Sequence, residues 1–266
     1  MPTIRVADLE VWFEQLGAGP PLVALHGATS SGRLDFAAQL PGLAGAFRVY
    51  LPDARGHGRT RWDPADGFDA ERLVDDLVGL LDALGLATVH LLGFSMGGLT
   101  ALAFAGRRPD RVRTLVVAGI SPEREPRASV VRKLLDPGRI ERDDPAWAGQ
   151  LARRHDPVQG PGAWRRLLPA IAVDVATQPL LGPGELRSVD APALVACGDR
   201  DPFVPVDQAW RLSRQLRDGR LLVAPDCGHE VLRERADLLN EALAAFYRST
   251  ESAARARAEQ QPEVHR

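Results

Sequence analysis

A serine between two glycines is the residue whose setting most favours chemistry in this chain. Residues 93–97 are Gly-Phe-Ser-Met-Gly and fit the pattern G-x-S-x-G, which makes Ser95 a candidate nucleophile. The apolar run at 88–92 predicts a buried strand before it, and the Leu- and Ala-rich run at 98–106 predicts a helix after it. A serine at such a strand-to-helix corner is held in a strained turn with its hydroxyl exposed. Glycines beside it suit the turn because they carry no Cβ.

Partners for this serine follow later in the chain. A serine hydroxyl is a poor nucleophile unless a general base takes its proton and a third group orients the base. His229 comes directly after one predicted apolar strand and is the candidate base. Asp199 and Asp201 come directly after another and are the candidate acids. The order serine, acid, histidine, each at the end of a strand, is the order expected of one particular sheet architecture.

The elements that position these residues alternate between strand and helix patterns. Strands are predicted at 11–16, 22–26, 47–51, 88–92, 112–118, 193–197 and 220–224, with an amphipathic helix at 68–84. This alternation predicts an α/β fold with a mostly parallel sheet flanked by helices on both faces. Residues 121–190 interrupt it with Pro, Gly and Arg and short helical patterns. We therefore predict a core of residues 1–120 and 191–248, a helical cap at 121–190 and a disordered tail at 249–266.

From about residue 11 to residue 247 the chain resembles the α/β-hydrolase fold superfamily, in its serine-nucleophile branch of esterases, carbon–carbon hydrolases and haloperoxidase-like enzymes. Residues 25–28, Leu-His-Gly-Ala, resemble the family's oxyanion turn, and residues 53–58, Asp-Ala-Arg-Gly-His-Gly, resemble its D-x-R-G-x-G loop. The family pattern places the acid three residues after a glycine, which selects Asp201 over Asp199. The resemblance also implies that the backbone N–H groups of Ala28 and Met96 hold the oxyanion.

These residues imply acyl transfer through a covalent intermediate. We expect a cofactor-independent serine hydrolase that cleaves a carboxylic ester, or a related acyl bond, of a small to medium-sized substrate. Hydrolysis of a carbon–carbon bond, a thioester or a lactone is the alternative, because these reactions share the same acyl-enzyme logic. A slow-turnover small-molecule receptor or a non-catalytic scaffold is an alternative of another class.

The substrate pocket is expected beneath the cap. Candidate substrate-binding residues are Phe94, Trp147, Trp164 and Leu168, although the same aromatic and aliphatic residues also suit the core of a small cap. The remaining histidines lack the strand-end position of His229. Of these, only His155 lies in the predicted cap, where the alternative to a structural role is contact with the substrate.

Composition excludes several partner classes. Lys and Arg number 33 against 35 Asp and Glu, and a net charge of −2 argues against a nucleic-acid surface. The scattered histidines predict no metal site. No segment has the length and apolarity of a signal peptide or membrane span, so a cytoplasmic protein without membrane or nucleic-acid partners is expected. Cys197 and Cys227 are accordingly expected as reduced thiols. The oligomeric state is left open.

Overall fold

A mostly parallel sheet forms the centre of the computed structural model, which describes residues 3–260, with side chains described to residue 253. Within that range the strands are β1 (Thr3–Val6), β2 (Leu9–Leu16), β3 (Pro21–Leu25), β4 (Arg48–Pro52), β5 (Val89–Phe94), β6 (Val112–Ala118), β7 (Ala193–Gly198) and β8 (Gly219–Ala224). They lie in the order β1-β2-β4-β3-β5-β6-β7-β8. Strands β1, β2 and β4 pair antiparallel, and the pairs from β4 through β8 are parallel.

Helices cover both faces of this sheet. They are α1 (Gly32–Asp35), α2 (Leu40–Ala46), α3 (Ala70–Ala83), α4 (Met96–Arg107), α5 (Arg127–Leu134), α6 (Pro137–Asp143), α7 (Pro145–Gln159), α8 (Ala163–Thr177), α9 (Pro183–Arg187), α10 (Val206–Gln215), α11 (Val231–Glu234) and α12 (Ala236–Gln260). Because side chains alternate along a strand, Leu91 of β5 packs in a core with α3, α4 and α10, and Leu92 packs in a core with α2, α11 and α12. The predicted α/β-hydrolase fold class is confirmed.

Five helices, α5 to α9, lie between β6 and β7, where the sequence predicted an insertion. Helices α5 to α8 share a hydrophobic core of their own, which includes the buried residues Leu151, Trp164 and Ile171. Leu186 of α9 instead packs in the core with α4 and α10. We call residues 121–190 the helical insertion.

The end of the chain differs from its prediction. A disordered tail was expected from residue 249, but helix α12 continues to Gln260. Phe246 and Tyr247 bury one side of this helix against the sheet. Once a helix is anchored in this way, each further residue adds a hydrogen bond at little nucleation cost, which favours continuation. Residues 261–266 of the predicted tail lie outside the described range.

Candidate active site

Ser95 stands at the corner between β5 and α4 in a strained conformation. Its φ is 51° and its ψ is −116°, a region that non-glycine residues rarely occupy and that costs about 1–3 kcal/mol. A Cβ added to Gly93 would collide with the backbone of Gly97, and one added to Gly97 would collide with the backbone of Leu25. The two glycines of the motif are therefore required by close backbone approach, as predicted.

His229 links the serine to a carboxylate. Its Nε2 lies 3.0 Å from Ser95 Oγ, and its Nδ1 lies 2.8 Å from Asp201 Oδ2. In the arrangement that satisfies both contacts, Nδ1–H donates to Asp201 and the Ser95 hydroxyl donates to Nε2. Such a histidine is oriented to accept the serine proton.

The neighbours of this pair hold both groups in place. The side chain of Asp201 is fully buried, and its Oδ1 accepts hydrogen bonds from the N–H groups of Phe203 at 2.8 Å and Val204 at 3.2 Å. The ring of Phe203 lies 4.3 Å from the His229 ring, and that of Phe94 lies 5.1 Å from it. Aromatic contacts on the imidazole restrict its rotation, so the orientation does not depend on the aspartate alone.

Asp199, the other candidate acid, has a different set of contacts. Its Oδ1 accepts a hydrogen bond from the N–H of Cys227 at 3.0 Å, in the loop that carries His229. That backbone hydrogen bond lowers the pKa of Asp199. Asp199 thus contacts the histidine loop rather than the imidazole.

Cys197 and Cys227 are free and buried, and burial raises their pKa values to about 12 and about 11.

The turn after β3 is held by two buried histidines. His26 Nδ1 donates to Gly27 O at 2.8 Å, while His26 Nε2 accepts from Ala54 N at 2.9 Å. His57 lies with one ring nitrogen 2.8 Å from Ala28 O and the other 2.9 Å from Arg55 O. Burial lowers the pKa of each histidine to about 4, so both rings are neutral at pH 7 and His57 donates to one carbonyl at a time. Their contacts are structural.

The backbone N–H groups of Ala28 and Met96 border the serine. Met96 is the first residue of α4, where an N–H has no acceptor within its own helix. Over residues 3–260, neither N–H donates to a protein acceptor. Both residues line a cavity that Ser95 and His229 also line. Two unpaired N–H groups beside the hydroxyl are suited to an oxyanion.

Two cavities meet at the serine. An inner cavity of about 130 Å³ extends beneath α5 and α8, and an outer groove of about 820 Å³ extends between α7 and the loop of His229. Both are lined by Ala28, Ser95, Val131, Phe203 and His229. This arrangement provides separate space for the two parts of a substrate on either side of a reacting carbonyl.

The four residues predicted to bind substrate divide between groove and core. Phe94 and Trp147 line the outer groove. Trp164 and Leu168 instead lie in the core of the helical insertion, 1% and 0% exposed, so their prediction was wrong. Apolar residues at helical spacing face a core and a pocket with the same period, which sequence reasoning cannot separate.

Several cavity residues were not predicted. Ile171 of α8 lines the inner cavity. Arg127, Val131 and Gln178 were missed there, because nothing local distinguishes them from surface positions. Phe203 had a usable signal, since it stands two residues after Asp201. His155 contacts the core rather than either cavity, and its Nδ1 accepts from Gly58 N at 3.1 Å.

No group of three potential metal ligands occurs among the residues that the structure describes. Across the same residues, no helix combines the length and apolarity that a membrane span requires.

Comparison with known proteins agrees with this architecture. Residues 20–155 match the family model described as alpha/beta hydrolase fold, and residues 159–258 match one described as TAP-like protein. A 2-hydroxy-6-oxononadienedioate/2-hydroxy-6-oxononatrienedioate hydrolase from Pseudomonas putida is 30% identical, over 90% of this chain and 92% of its own length.

Two solved structures extend the comparison. A meta-cleavage product hydrolase from Pseudomonas fluorescens superimposes with a TM-score of 0.75 at 23% identity, covering 94% of this chain and 98% of that one, and shows the shared fold. A thermophilic esterase from Thermogutta terrifontis has a TM-score of 0.71 at 28% identity, covering 91% and 94%. The Pseudomonas putida relative, which is named for a small-molecule substrate, is a hydrolase, and this supports an enzymatic role. With the match over residues 20–155, the chain belongs to the α/β-hydrolase fold family.

Proposed function

We propose that this protein hydrolyses a carbon–carbon bond beside a ketone in an oxo acid, with Ser95 as nucleophile, His229 as base and acid, and Asp201 as the group that orients the histidine. The observation that carries the chemistry is the continuous contact from Ser95 Oγ through His229 to Asp201. The bond type is supported by the relatives. The 6-oxo dioate in the name of the Pseudomonas putida relative contains a ketone and carboxylates but no ester, so its hydrolysis breaks a carbon–carbon bond.

The proposed first step forms an acyl-enzyme. His229 Nε2 takes the hydroxyl proton as Ser95 Oγ bonds to the ketone carbon, and the N–H groups of Ala28 and Met96 hold the resulting oxyanion. The substrate reacts as its 2-oxo tautomer, in which the proton of the 2-hydroxyl has moved to the carbon beside the 6-ketone and made that carbon tetrahedral. When the carbonyl re-forms, the bond to that carbon breaks and its electron pair leaves as an enolate conjugated with the 2-oxo group. The imidazolium returns the proton to that carbon. Asp201 stabilises the imidazolium while it is charged.

The second step releases the acid. His229 takes a proton from water, the hydroxide adds to the acyl carbonyl, and Ser95 leaves with the proton that the histidine returns. His229 supplies each proton transfer of these two steps. We further propose that the helical insertion acts as the cap, because α5, α7 and α8 supply lining to the cavities on both sides of the serine.

Hydrolysis of carboxylic esters or lactones is the second candidate. The same acyl-enzyme serves an ester, and the esterase from Thermogutta terrifontis matches this chain at 28% identity. The two candidates differ in the leaving group, which is a carbon acid in one and an alcohol in the other. The same histidine protonates either.

Parallel kinetics on two substrates test the proposal. A 2-hydroxy-6-oxo-dienoate and a p-nitrophenyl ester are assayed with wild type and Ser95→Ala. We expect kcat/KM for the oxo acid to exceed that for the ester by at least about tenfold, or about 1.4 kcal/mol of activation free energy. Ser95→Ala should lose nearly all turnover of both. A faster ester reaction would favour the second candidate, and release of a single equivalent would favour a receptor.

A further inference from the structure

One arginine in the inner cavity is buried without a hydrogen-bond partner. Arg127, the first residue of α5, is 5% exposed, and its Nε and both terminal nitrogens contact no acceptor in the described structure. Burial lowers its pKa to about 10, so the guanidinium is charged at neutral pH. A buried cation without a partner is strongly unfavourable and is retained where something else supplies the acceptor.

A second unpaired donor lines the same cavity. Gln178, at the end of α8, is 7% exposed, and its Nε2 also has no partner. Both side chains line the inner cavity together with Ser95 and His229. Donors without acceptors, grouped in one cavity, favour a ligand that only accepts hydrogen bonds. An ionised carboxylate is such a group, and it matches the forked geometry of an arginine.

The nearest acidic group leaves this position open. Asp174 lines the cavity as well, but its Oδ1 accepts from Ala70 N at 2.8 Å and forms no hydrogen bond with Arg127. Burial raises the pKa of Asp174 to about 6. Arg124 does not compensate the charge either, because it is itself cationic and donates to the carbonyls of Val175, Ala176 and Gln178.

We propose that Arg127 and Gln178 form a carboxylate-binding subsite in the inner cavity, and that this subsite selects substrates carrying a carboxylate away from the bond that is cleaved. The inference rests on the proposed function, since the subsite opens onto the same cavity as Ser95. It makes Arg127 the residue that determines specificity for an anionic substrate.

A binding experiment tests the subsite separately from catalysis. Calorimetry on Ser95→Ala compares glutarate with the isosteric neutral glutaramide, in a buffer without carboxylates. We expect glutarate to bind at least about tenfold more tightly, the size typical of hydrogen bonds to charged groups. Adding Arg127→Met should reduce this preference to about twofold or less, and adding Arg127→Lys should restore part of it. Arg132→Met is the matched control, because Arg132 lies exposed on the same helix.

Two further readouts separate a ligand site from a structural arginine. In the free protein, Arg127→Met should raise the melting temperature, because it removes an unpaired buried charge. Asp174→Asn should strengthen the preference for glutarate, because it removes the nearby negative charge. The subsite proposal is overturned if the Arg127→Met variant keeps the full preference for glutarate over glutaramide. It is also overturned if Arg127→Met lowers the melting temperature while the variant still binds glutarate, because Arg127 would then stabilise the fold without holding the ligand. If wild type turns over neither the oxo acid nor the ester, but the preference for glutarate is intact and depends on Arg127, the proposed function is rejected and the subsite stands.

Discussion

At the scale of single residues, the two aspartates after β7 differ in what each one contacts. Asp201 accepts from the imidazole of His229 and from two backbone N–H groups, and its side chain is fully buried. Asp199 accepts from the backbone of the loop before His229. A carboxylate that fixes the tautomer of the base should matter for the chemical step, whereas one that fixes a loop should matter little.

Asp201→Asn should therefore lower kcat by about 10⁴-fold while the protein stays folded, because an amide in that position favours the wrong imidazole tautomer. Asp199→Asn, the matched control, should change kcat by only a few fold. Steady-state kinetics with circular dichroism of both variants decide the matter. Equal losses would mean that the loop contact is as important as the imidazole contact.

At the scale of elements, the site is assembled where parallel strands end. The ends of β5, β7 and β8 lead directly to Ser95, Asp201 and the loop of His229. Neighbouring strand ends bring residues together that are 134 positions apart in the chain, as Ser95 and His229 are. Gly198, the last residue of β7, lets the loop of His229 approach, since a Cβ there would collide with the carbonyls of Cys227 and Gly228.

Gly198→Ala should displace that loop. We expect a loss of stability of about 1–3 kcal/mol from overpacking, together with a lower kcat. Gly184→Ala in α9 is the control, because a Cβ there meets nothing within 4 Å, and it should leave activity unchanged and stability equal or slightly higher. Urea denaturation and kinetics on both variants measure the effects. An unaffected Gly198→Ala would show that the loop accommodates the methyl group without moving His229.

At the scale of the whole molecule, the helical insertion is attached to the core through α7. Three of its side chains form hydrogen bonds with loops of the core. His155 accepts from Gly58 N, and Arg154 donates to Thr29 O. Gln159 donates to Thr60 O and accepts from Trp62 N. His155 is fully buried with its ring 5.5 Å from the His57 ring, and its pKa is lowered to about 2, chiefly by burial. Protonation of this histidine is therefore unfavourable while α7 is packed against the loop of His57.

This contact predicts a pH dependence of stability. The folded state keeps His155 neutral, whereas the unfolded chain protonates it near pH 6.5, so its contribution is complete above about pH 6.5 and declines as the pH falls toward the folded pKa. His155→Gln does not titrate. Relative to that variant, wild type should lose about 1.4 kcal/mol per pH unit below pH 6. Urea titrations at pH 7.5, 6 and 5 measure the difference, and a constant difference would contradict the assignment.

Comparing the variant with wild type isolates one group, because other buried groups act in opposite directions. The pKa of Asp174 is raised, which favours the folded state as pH falls, whereas the lowered pKa of His26 disfavours it. The acid stability of the whole protein is the sum over all such groups, so the difference between wild type and variant is what reports on His155.

Local sequence determined the sheet, the turns and the residues at the strand ends. Apolar runs predicted seven of the strands closely, and both ends of β6 were predicted correctly. Strands that are buried on both faces are apolar along their whole length, which makes them easy to recognise. Strand β1 was missed because its four residues form a half-exposed edge with little apolar pattern. G-x-S-x-G and the residues after β7 and β8 pointed to Ser95, Asp201 and His229, whose side chains lie in contact in the structure because they follow neighbouring strand ends.

Tertiary structure alone decided which residues line the cavities at Ser95. Trp164, Leu168 and Ile171 lie on the same face of α8 and in the same core, yet only Ile171 also lines the inner cavity, a difference of position along the helix that a helical period does not contain. Arg127 looks like any surface arginine in sequence, and only its burial without a partner distinguishes it. The reaction type can be predicted from the sequence, because it depends on which residue types follow the strand ends. Specificity depends on which side chains from distant helices meet, and that is a property of packing.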